Sequence, residues 1–450
     1  MTDFSGCFGD RRRPLAVARL EEAMVSQSSV VVRRLGADRA GEMSAHRVLS
    51  AGAVTVEAIV GCVARQTAAA AAGRRVVVAQ DTMEVNFPGH HRKRLGRAGR
   101  LGTTPGFFLH GAVAIDAADE TVLGLVEATI WSRKGAALTE RRKRPLEEKE
   151  SLRWLETARL VEARLAGACE RIVVGDRESD IYALIAGRPA ATHLIVRCAQ
   201  NRRLAGGGLL FEASEAWPVL GRQKVKIAPR GPGDPGRTAG IVLRAGTVAL
   251  CAPDKGLKRD DPPTLCVQLI EALEPDPPQG AKPLHWRLLT TLPGADLAAA
   301  GEAVRLYRLR WRIEQCFRMF KSDGLNFEEA QTSDAHRLFN LAALAMGAAV
   351  RIIQLVDARH GSERPASDVA SPAELRAAAA LCPKLEGRTE RQRNPYRPNG
   401  LDWLSWIIAR LGGWNCYYKP PGPKTMRQGW DRFAAIAQGF QLADAPQHNP

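Results

Sequence analysis

Two aspartates in this sequence each follow a short apolar run. Asp81 ends RRVVVAQD, and Asp176 ends RIVVGD. Such runs predict buried strands, and strand ends place side chains at the rim of a sheet, where ligands bind. Two carboxylates from neighbouring strands can share divalent cations, because Mg²⁺ prefers oxygen ligands. Taken singly, an aspartate after a strand is more often a turn or helix cap, and Glu178 and Asp180 nearby are predicted to favour a helix start rather than to bind metal.

A third carboxylate lies on the predicted helix YRLRWRIEQCFRMFK, residues 307–321. At about 100° per residue, one stripe about 60° wide holds Tyr307, Arg310, Glu314 and Lys321. The adjoining apolar band is predicted to face the core, and it contains Leu306, Leu309, Ile313, Cys316, Phe317 and Phe320. A salt bridge from Glu314 to Arg310 or Arg318 is the simpler alternative. Jointly with the two aspartates, Glu314 favours a metal-dependent phosphoryl-transfer site.

The elements that would position these residues follow the order β-β-β-α-β-α-β. After the run that ends at Asp81, strands are predicted at 107–116, 121–132, 171–176 and 192–197, with helices before and after the 171–176 strand. The three early strands can form an antiparallel meander, and the helix-linked strands can add to it in parallel. Residues 201–283 break this rhythm with dense Gly and Pro between short β-like runs, which predicts an inserted β-rich subdomain.

Helical patterns occupy both ends of the chain. Residues 10–70 have helical spacing, and their region carries Arg11, Arg12, Arg13, Arg39 and Arg47. This suits a DNA-binding module, although surface arginines on helices are equally common. Helical spacing resumes over 295–357, and two amphipathic helices are predicted within 401–441.

Length and charge restrict the class of protein. A chain of 450 residues is too long for one ordinary core, so about two to four domains are expected. The net charge of +16 favours a polyanionic partner, nucleic acid above all, although a generally basic protein is the alternative. No apolar run approaches the length of a membrane span, and the residues after Met1 lack the apolar core of a signal peptide. We therefore expect a cytoplasmic protein with no membrane partner.

The cysteines and histidines predict no metal centre of their own. Nine cysteines are scattered without a C-x-x-C pair, which is typical of reduced, buried thiols with neither a zinc site nor a disulfide framework. Nine histidines are also scattered, and only His90 and His91 are adjacent, beside Arg92, Lys93 and Arg94. A polar loop that faces DNA is predicted there rather than a metal site.

The acidic motifs resemble those of the bacterial cut-and-paste DDE transposases of the insertion-sequence-four group. The signature of that group is Tyr, two residues, Arg, three residues, Glu, six residues, Lys, and it matches Tyr307, Arg310, Glu314 and Lys321 without gaps. The two aspartate motifs are VAQDTMEVNF, followed by GFFLHGAVAI, and VGDRESDIY. Segments EEKESLRWLE, LTTLPG and IIARLGGW are also similar to that group. The resemblance covers nearly the whole chain.

The resemblance implies an α/β fold with an RNase H-like catalytic core, a mixed five-stranded sheet with helices. The core would be interrupted by a β-rich insertion and flanked by helical domains. The expected divisions are an end-binding domain at 1–70, the first part of the core at 71–200, the insertion at 201–292, the Glu-bearing part of the core at 293–358, and a C-terminal dimerisation domain at 359–450.

The resemblance also implies roles for individual residues. Asp81, Asp176 and Glu314 would be catalytic and would hold two Mg²⁺ ions, with Mn²⁺ able to substitute. The implied DNA contacts are Tyr307, Arg310, Lys321, Trp286, Trp311, Arg197, Arg47 and Arg12. Trp286 matches a tryptophan that stacks on a flipped base in the family, and an aromatic face can replace lost base stacking. A core position for Trp286 is the alternative.

The implied function is that of a DNA transposase. It would bind the terminal repeats of its element and catalyse Mg²⁺-dependent cleavage and strand transfer through a hairpin. Its partners would be double-stranded element ends, target DNA and a second copy of the chain, with no nucleotide cofactor. The C-terminal helices could equally pack within one chain. Two other functions stay open, namely an endonuclease of the same fold without strand transfer and an inactive DNA-binding remnant.

Overall fold

The computed structural model describes residues 2–87, 95–99, 104–133, 150–227, 236–254, 261–322, 324–417 and 419–444. The chain divides into two compact units. We call Met1–Ala72, Thr82–Ala136 and Arg312–Pro450 the helix-rich unit. We call Gly73–Asp81 and Ala137–Trp311 the sheet-rich unit. The predicted His90–His91 loop lies outside the described residues.

The described strands include all those predicted for the core and the insertion. They are β1 (Arg75–Asn86), β2 (Arg97–Ala98), β3 (Thr104–Asp116), β4 (Val122–Trp131), β5 (Glu170–Gly175), β6 (Thr192–Arg197), β7 (Gly221–Ile227), β8 (Arg237–Cys251), β9 (Thr264–Leu273) and β10 (His285–Thr290).

The described helices alternate with these strands in the middle of the chain and dominate both ends. They are α1 (Arg12–Gln27), α2 (Val32–Leu35), α3 (Arg39–Ser50), α4 (Val56–Ala71), α5 (Arg153–Arg164), α6 (Tyr182–Ala186), α7 (Leu210–Ala216), α8 (Leu297–Arg308), α9 (Trp311–Lys321), α10 (Ala335–Ala358), α11 (Pro372–Leu385), α12 (Leu401–Leu411) and α13 (Pro423–Asp444). The predicted α/β class and the β-β-β-α-β-α-β order are confirmed.

The sheet-rich unit joins a parallel part to an antiparallel part. The start of β1 pairs in parallel with β5, and β5 pairs in parallel with β6. The next neighbour of β6 is β10, which runs antiparallel to it, and β9, β8 and β7 continue the antiparallel series. The strands β7, β8 and β9 come from the segment predicted as a β-rich insertion. They extend the same hydrogen-bonded ladder that begins at β1.

In the helix-rich unit, α4 and α10 pack against β4. Gly124 on β4 has a φ of +157°, and a Cβ there would collide with the hydroxyl oxygen of Thr67 on α4. The same hydroxyl donates to the carbonyl of Leu125 at 2.7 Å. Because only glycine combines this φ with the missing side chain, Gly124 allows α4 to lie directly on the strand.

Among the described residues, helix α10 is long and apolar enough to cross a membrane by length and composition. The expectation that no apolar run reaches that length is therefore wrong. Of the apolar window of this 24-residue helix, 94% is buried inside the structure. Its Asn340 amide donates to the carbonyls of Leu49 at 3.0 Å and Val54 at 2.6 Å. A core helix of a globular protein meets the same length test, so the finding is weak evidence for a membrane.

All nine cysteines were expected to be free thiols, and two of them are not. Cys7 and Cys62 are joined by a disulfide, so that expectation is wrong for this pair. Their separation of 55 residues hid the pairing, because only the packing of the N-terminal segment against α4 brings them together. Cys198 and Cys316 are free and buried, and burial raises the pKa of both thiols.

The stretch predicted as one helix over 307–321 is two helices. Helix α8 ends at Arg308 and α9 begins at Trp311. Between them the amides of Leu309 and Arg310 donate to carbonyls three residues earlier, at 3.1 and 3.0 Å. This tightening is typical of a helix terminus. The prediction that Tyr307, Arg310, Glu314 and Lys321 share one stripe assumed an unbroken helix, and it is therefore wrong.

A carboxyl group where the C-terminal helix packs near the end of the N-terminal one makes the stability of the protein depend on pH. Asp431 on α13 accepts a hydrogen bond from the Ser28 hydroxyl at 3.3 Å, and burial raises the pKa of Asp431 to about 6. A carboxyl whose pKa is higher in the folded state favours folding at low pH, and this contribution is lost as the pH rises through the folded pKa.

We therefore expect Asp431→Asn to stabilise the protein above about pH 6, by about 1 kcal/mol after allowance for partial exposure. At about pH 4, close to the ordinary value of 3.8, the variant and the wild type should melt at nearly the same temperature. Thermal unfolding across this range measures the difference. An equal gain at both ends of the range would show that charge on Asp431 is not its cause.

Candidate active site

The ladder of β1 and β5 brings the two aspartates to the same end of the pairing. Its last pair is Ala79 with Val174, and Asp81 and Asp176 each lie two residues beyond that pair. Asp176 directly follows the last residue of β5, as predicted, whereas Asp81 lies within β1, which continues to Asn86, so the predicted strand end at Asp81 is wrong. Both belong to the sheet-rich unit.

The Asp81 carboxylate forms an ion pair with a residue of the Tyr-Arg-Glu-Lys spacing. Nη1 of Arg310 donates to Oδ2 of Asp81 at 3.0 Å. The two side chains are only 15% and 19% exposed, so water screens the pair less than it would at the surface. Arg310 lies in the short connection between α8 and α9, and its guanidinium also lies against the Tyr307 hydroxyl.

The Asp176 carboxylate shapes the turn that follows β5. It accepts a hydrogen bond from the Glu178 amide at 2.8 Å and caps a short 3-10 helix at 177–179. Asp180 is buried, and it accepts from Arg202 at 2.6 Å and from the amides of Ala199 and Gln200 at 2.7 and 2.9 Å. Asp180 therefore holds the segment after β6 against this turn. The sequence had predicted only that Asp180 favours the start of a helix.

Tyr307 is buried beside a tryptophan. Its ring meets that of Trp286 edge to face, with centroids 5.2 Å apart. Burial raises the pKa of the Tyr307 hydroxyl, while the guanidinium groups of Arg310 and Arg197 act in the opposite direction. Burial also lowers the pKa of Arg197. Tyr307, Trp286 and Arg197 thus form one contiguous group within the sheet-rich unit.

A buried carboxylate braces the strand that carries Trp286. Glu271 on β9 is 1% exposed, and it receives His285 at 2.8 Å, Arg244 at 2.8 Å and Arg287 at 3.1 Å. His285 and Arg287 flank Trp286 on β10 and extend from the opposite face of the strand, because side chains alternate. No local pattern in the sequence predicts this brace, because its four charged or titratable residues come from three different strands.

Glu314 and Lys321 belong to the helix-rich unit. Glu314 is half-buried in the first turn of α9, beside the buried side chains predicted for that band. Nζ of Lys321 donates to the Glu84 carbonyl at 2.8 Å and pairs with the Glu328 carboxylate at 3.1 Å. Trp311 is half-buried at the start of α9, and Arg318 is exposed.

The N-terminal arginines lie on an exposed face of the helix-rich unit. Arg12 and Arg47 are both exposed, on α1 and α3. A tight turn joins α2 to α3, and a Cβ on either Gly36 or Gly41 would collide with backbone across it. Exposed Arg33, Arg34 and Arg39 adjoin this turn. Sequence analysis named Arg39 but not its two neighbours, although the adjacent pair in VVRRLG was visible.

The donor chemistry of the adjacent aspartates fits a divalent cation. Asp81 and Asp176 offer carboxylate oxygens, the ligands that hard cations prefer. Within the described ranges, no group of three or more His, Cys, Asp or Glu side chains is close enough to hold a metal ion. The guanidinium of Arg310 supplies the positive charge next to Asp81 in this structure.

Residues 128–351 match the family model described as the transposase DDE domain. The matched range contains Asp176, Tyr307, Arg310, Glu314 and Lys321, and it begins after Asp81. Such a domain has an RNase H-like core, which agrees with the parallel β1–β5–β6 pairing and with the fold predicted from the resemblance. DDE transposases act on DNA and generally depend on divalent metal ions. The chain therefore carries a transposase DDE domain over residues 128–351.

Proposed function

We propose that this protein is a cut-and-paste DNA transposase of the insertion-sequence-four type, which binds the terminal repeats of its element. The observation that supports the proposal is the ladder of β1 and β5, which ends two residues before Asp81 and Asp176, together with the ion pair of Arg310 and Asp81. Two adjacent carboxylates at a sheet rim next to a cationic group are the parts that phosphodiester chemistry requires. The net charge of +16 favours binding to a polyanion such as DNA.

Asp81, Asp176 and Glu314 would hold two Mg²⁺ ions, with Mn²⁺ as a substitute. When bound, such ions activate the attacking oxygen and stabilise the leaving one. The protein side chains position the scissile phosphate and supply no covalent nucleophile. Water first releases a 3′-OH at the element end, this 3′-OH attacks the opposite strand to form a hairpin, water reopens it, and the freed 3′-OH attacks target DNA.

The remaining DNA contacts divide into three groups. Arg310 and Lys321 would bind phosphates near the reacting bond, and Tyr307 would do so through the hydroxyl that lies beside Arg310 and Arg197. Trp286 and Trp311 are half-buried aromatics that would stack on bases. On the N-terminal helices, exposed Arg47 and Arg12 would contact the terminal repeat.

The domain divisions, the dimer and the cellular location are also parts of this proposal. The five divisions at 1–70, 71–200, 201–292, 293–358 and 359–450 would be the functional domains. The dimer on paired ends would use the C-terminal helices, where Ile436 and Phe440 are exposed on one face of α13. We place the protein in the cytoplasm, where chromosomal or plasmid DNA is the substrate, and assign it no nucleotide cofactor.

An endonuclease of the same fold is the second candidate. It would share the carboxylate pair and would cut DNA without joining the cut end to a second molecule. An inactive DNA-binding remnant is disfavoured because Asp81, Asp176 and Glu314 are all retained. The three candidates are separated by incubating purified protein with Mg²⁺, a target plasmid and DNA that carries the ends of its own element. A transposase yields joined products, an endonuclease yields only cut DNA, and a remnant leaves the DNA uncut.

Loss of the third carboxylate tests the proposed metal site. We expect Glu314→Ala to abolish Mg²⁺-dependent cleavage of element ends, with at least about a hundredfold loss of rate, while end binding changes little. A cleavage assay and a gel-shift assay measure the two quantities. Glu329→Ala, which removes an exposed acid just beyond α9, is the matched control and should retain activity. Cleavage that survives Glu314→Ala would refute the three-carboxylate site.

Lys321→Ala tests a phosphate contact. We expect weaker end binding, and a slope of log affinity against log salt that is smaller by about one, because one phosphate contact is lost. Metal affinity should be unchanged. Lys424→Ala, an exposed lysine on α13, controls for the loss of one positive charge elsewhere. A salt slope identical to that of the wild type would contradict the contact.

Removal of Arg310 should affect metal and DNA in opposite directions. Without the guanidinium, the Asp81 carboxylate loses a competing positive charge, so Arg310→Ala should bind Mn²⁺ roughly threefold or more tightly. The same variant should bind DNA more weakly. Mn²⁺ titration followed by electron paramagnetic resonance measures the first effect without DNA, with Arg308→Ala as the neighbouring control. Unchanged or weaker Mn²⁺ binding would show that Arg310 does not compete at Asp81.

A further inference from the structure

An aromatic and cationic stack lies at the end of β4, outside the residues assigned to the reaction. Phe108 on β3 is paired in register with Trp131, the last residue of β4. Their rings are stacked, with centroids 5.4 Å apart and planes inclined by 22°. The guanidinium carbon of Arg133 lies 4.2 Å from the centre of the Phe108 ring. We call Phe108, Trp131 and Arg133 the stacking platform.

The outer members of the platform are accessible. Phe108 is only 8% exposed, whereas Trp131 and Arg133 are half-buried and Arg97 beside them is exposed. Arg97 and Arg133 exchange backbone hydrogen bonds at 2.8 and 3.1 Å, so the two arginines are held next to each other. Phe108 therefore supports two planar groups whose outer parts reach solvent.

A chain of contacts links the platform to Lys321 within the helix-rich unit. Nη1 of Arg133 donates to the Gly99 carbonyl at 3.3 Å. Gly99 adjoins Glu84, since a Cβ on this glycine would lie 3.5 Å from the Glu84 carboxylate. The Glu84 carbonyl in turn accepts from Lys321 at 2.8 Å. The platform is thus connected to Lys321, the proposed phosphate contact, through Gly99 and Glu84.

We propose that the stacking platform binds an unpaired base of the DNA substrate, on the exposed parts of Trp131 and Arg133. Every base has a π face, so an aromatic ring binds bases with little sequence preference, and an adjacent arginine adds cation–π and phosphate interactions. An unpaired base is favoured over duplex because its faces are free to stack, whereas the bases of a duplex already stack on their neighbours. Among the described residues, Arg97, Arg133 and Lys321 are accompanied by Glu84 and Glu328, so stacking is expected to supply a large part of the affinity. The assignment depends on the proposed action on DNA and adds a subsite to it.

Fluorescence anisotropy with two labelled probes tests the platform. The probes are a short duplex and the same duplex with a short single-stranded gap, measured without divalent metal. We expect Trp131→Ala to weaken binding of the gapped duplex about tenfold, and to change binding of the intact duplex less than about twofold. Trp131→Phe should retain most of the affinity, because it keeps an aromatic face.

Two further variants keep the outcome interpretable. Trp414→Ala removes another half-buried tryptophan of the same unit and should bind both probes as the wild type does. Arg133→Gln should weaken binding of the gapped probe selectively, and it supplies the test if Trp131→Ala fails to fold by circular dichroism. Equal losses on both probes, or no loss on either, would overturn the proposal. Failure of the wild-type protein to bind either probe would instead refute its proposed action on DNA.

Discussion

The parallel pairing of β1 with β5 is the constraint on which the rest of the site depends. Hydrogen bonds along this ladder fix Ala79 opposite Val174, and two residues later the same register presents two carboxylates together. A slip of one residue would turn one side chain to the other face of the sheet. The paired residues of both strands are buried on both faces of the sheet, so a slip would force differently shaped side chains into close-packed positions on both sides. The packing of these strands thus positions the acidic groups.

Positive groups compensate the negative charge of the two aspartates. Carboxylates that lie near one another repel each other. The structure answers this repulsion with the Arg310 ion pair at Asp81 and an amide donor at Asp176. The phosphate contact proposed for Arg310 would replace this ion pair with one to DNA, since a guanidinium can bond to either a carboxylate or a phosphate. The break between α8 and α9 gives Arg310 a position in a connection rather than on a regular helix face.

Buried polar groups elsewhere make the framework specific. Glu271 gathers three cationic or titratable partners from β8 and β10, and Asp180 ties the segment after β6 to the turn after β5. Breaking a buried pair by removing one partner leaves an uncompensated charge, which is strongly destabilising. These networks therefore fix the relative placement of strands around Trp286 and Asp176, where the apolar core alone would tolerate alternatives.

The sequence by itself determined the strand order, the position of Asp176 after the end of β5 and the spaced Tyr-Arg-Glu-Lys residues, because apolar runs and residue spacing are local properties. The core-facing band of α9 was predicted for the same reason. Only the tertiary structure decided the break after Arg308, the Cys7–Cys62 disulfide and the burial of α10. Each depends on contacts between residues far apart in the chain, and a pattern within one segment carries no information about its neighbours in space. The Arg310–Asp81 pair, 229 residues apart, is the clearest case.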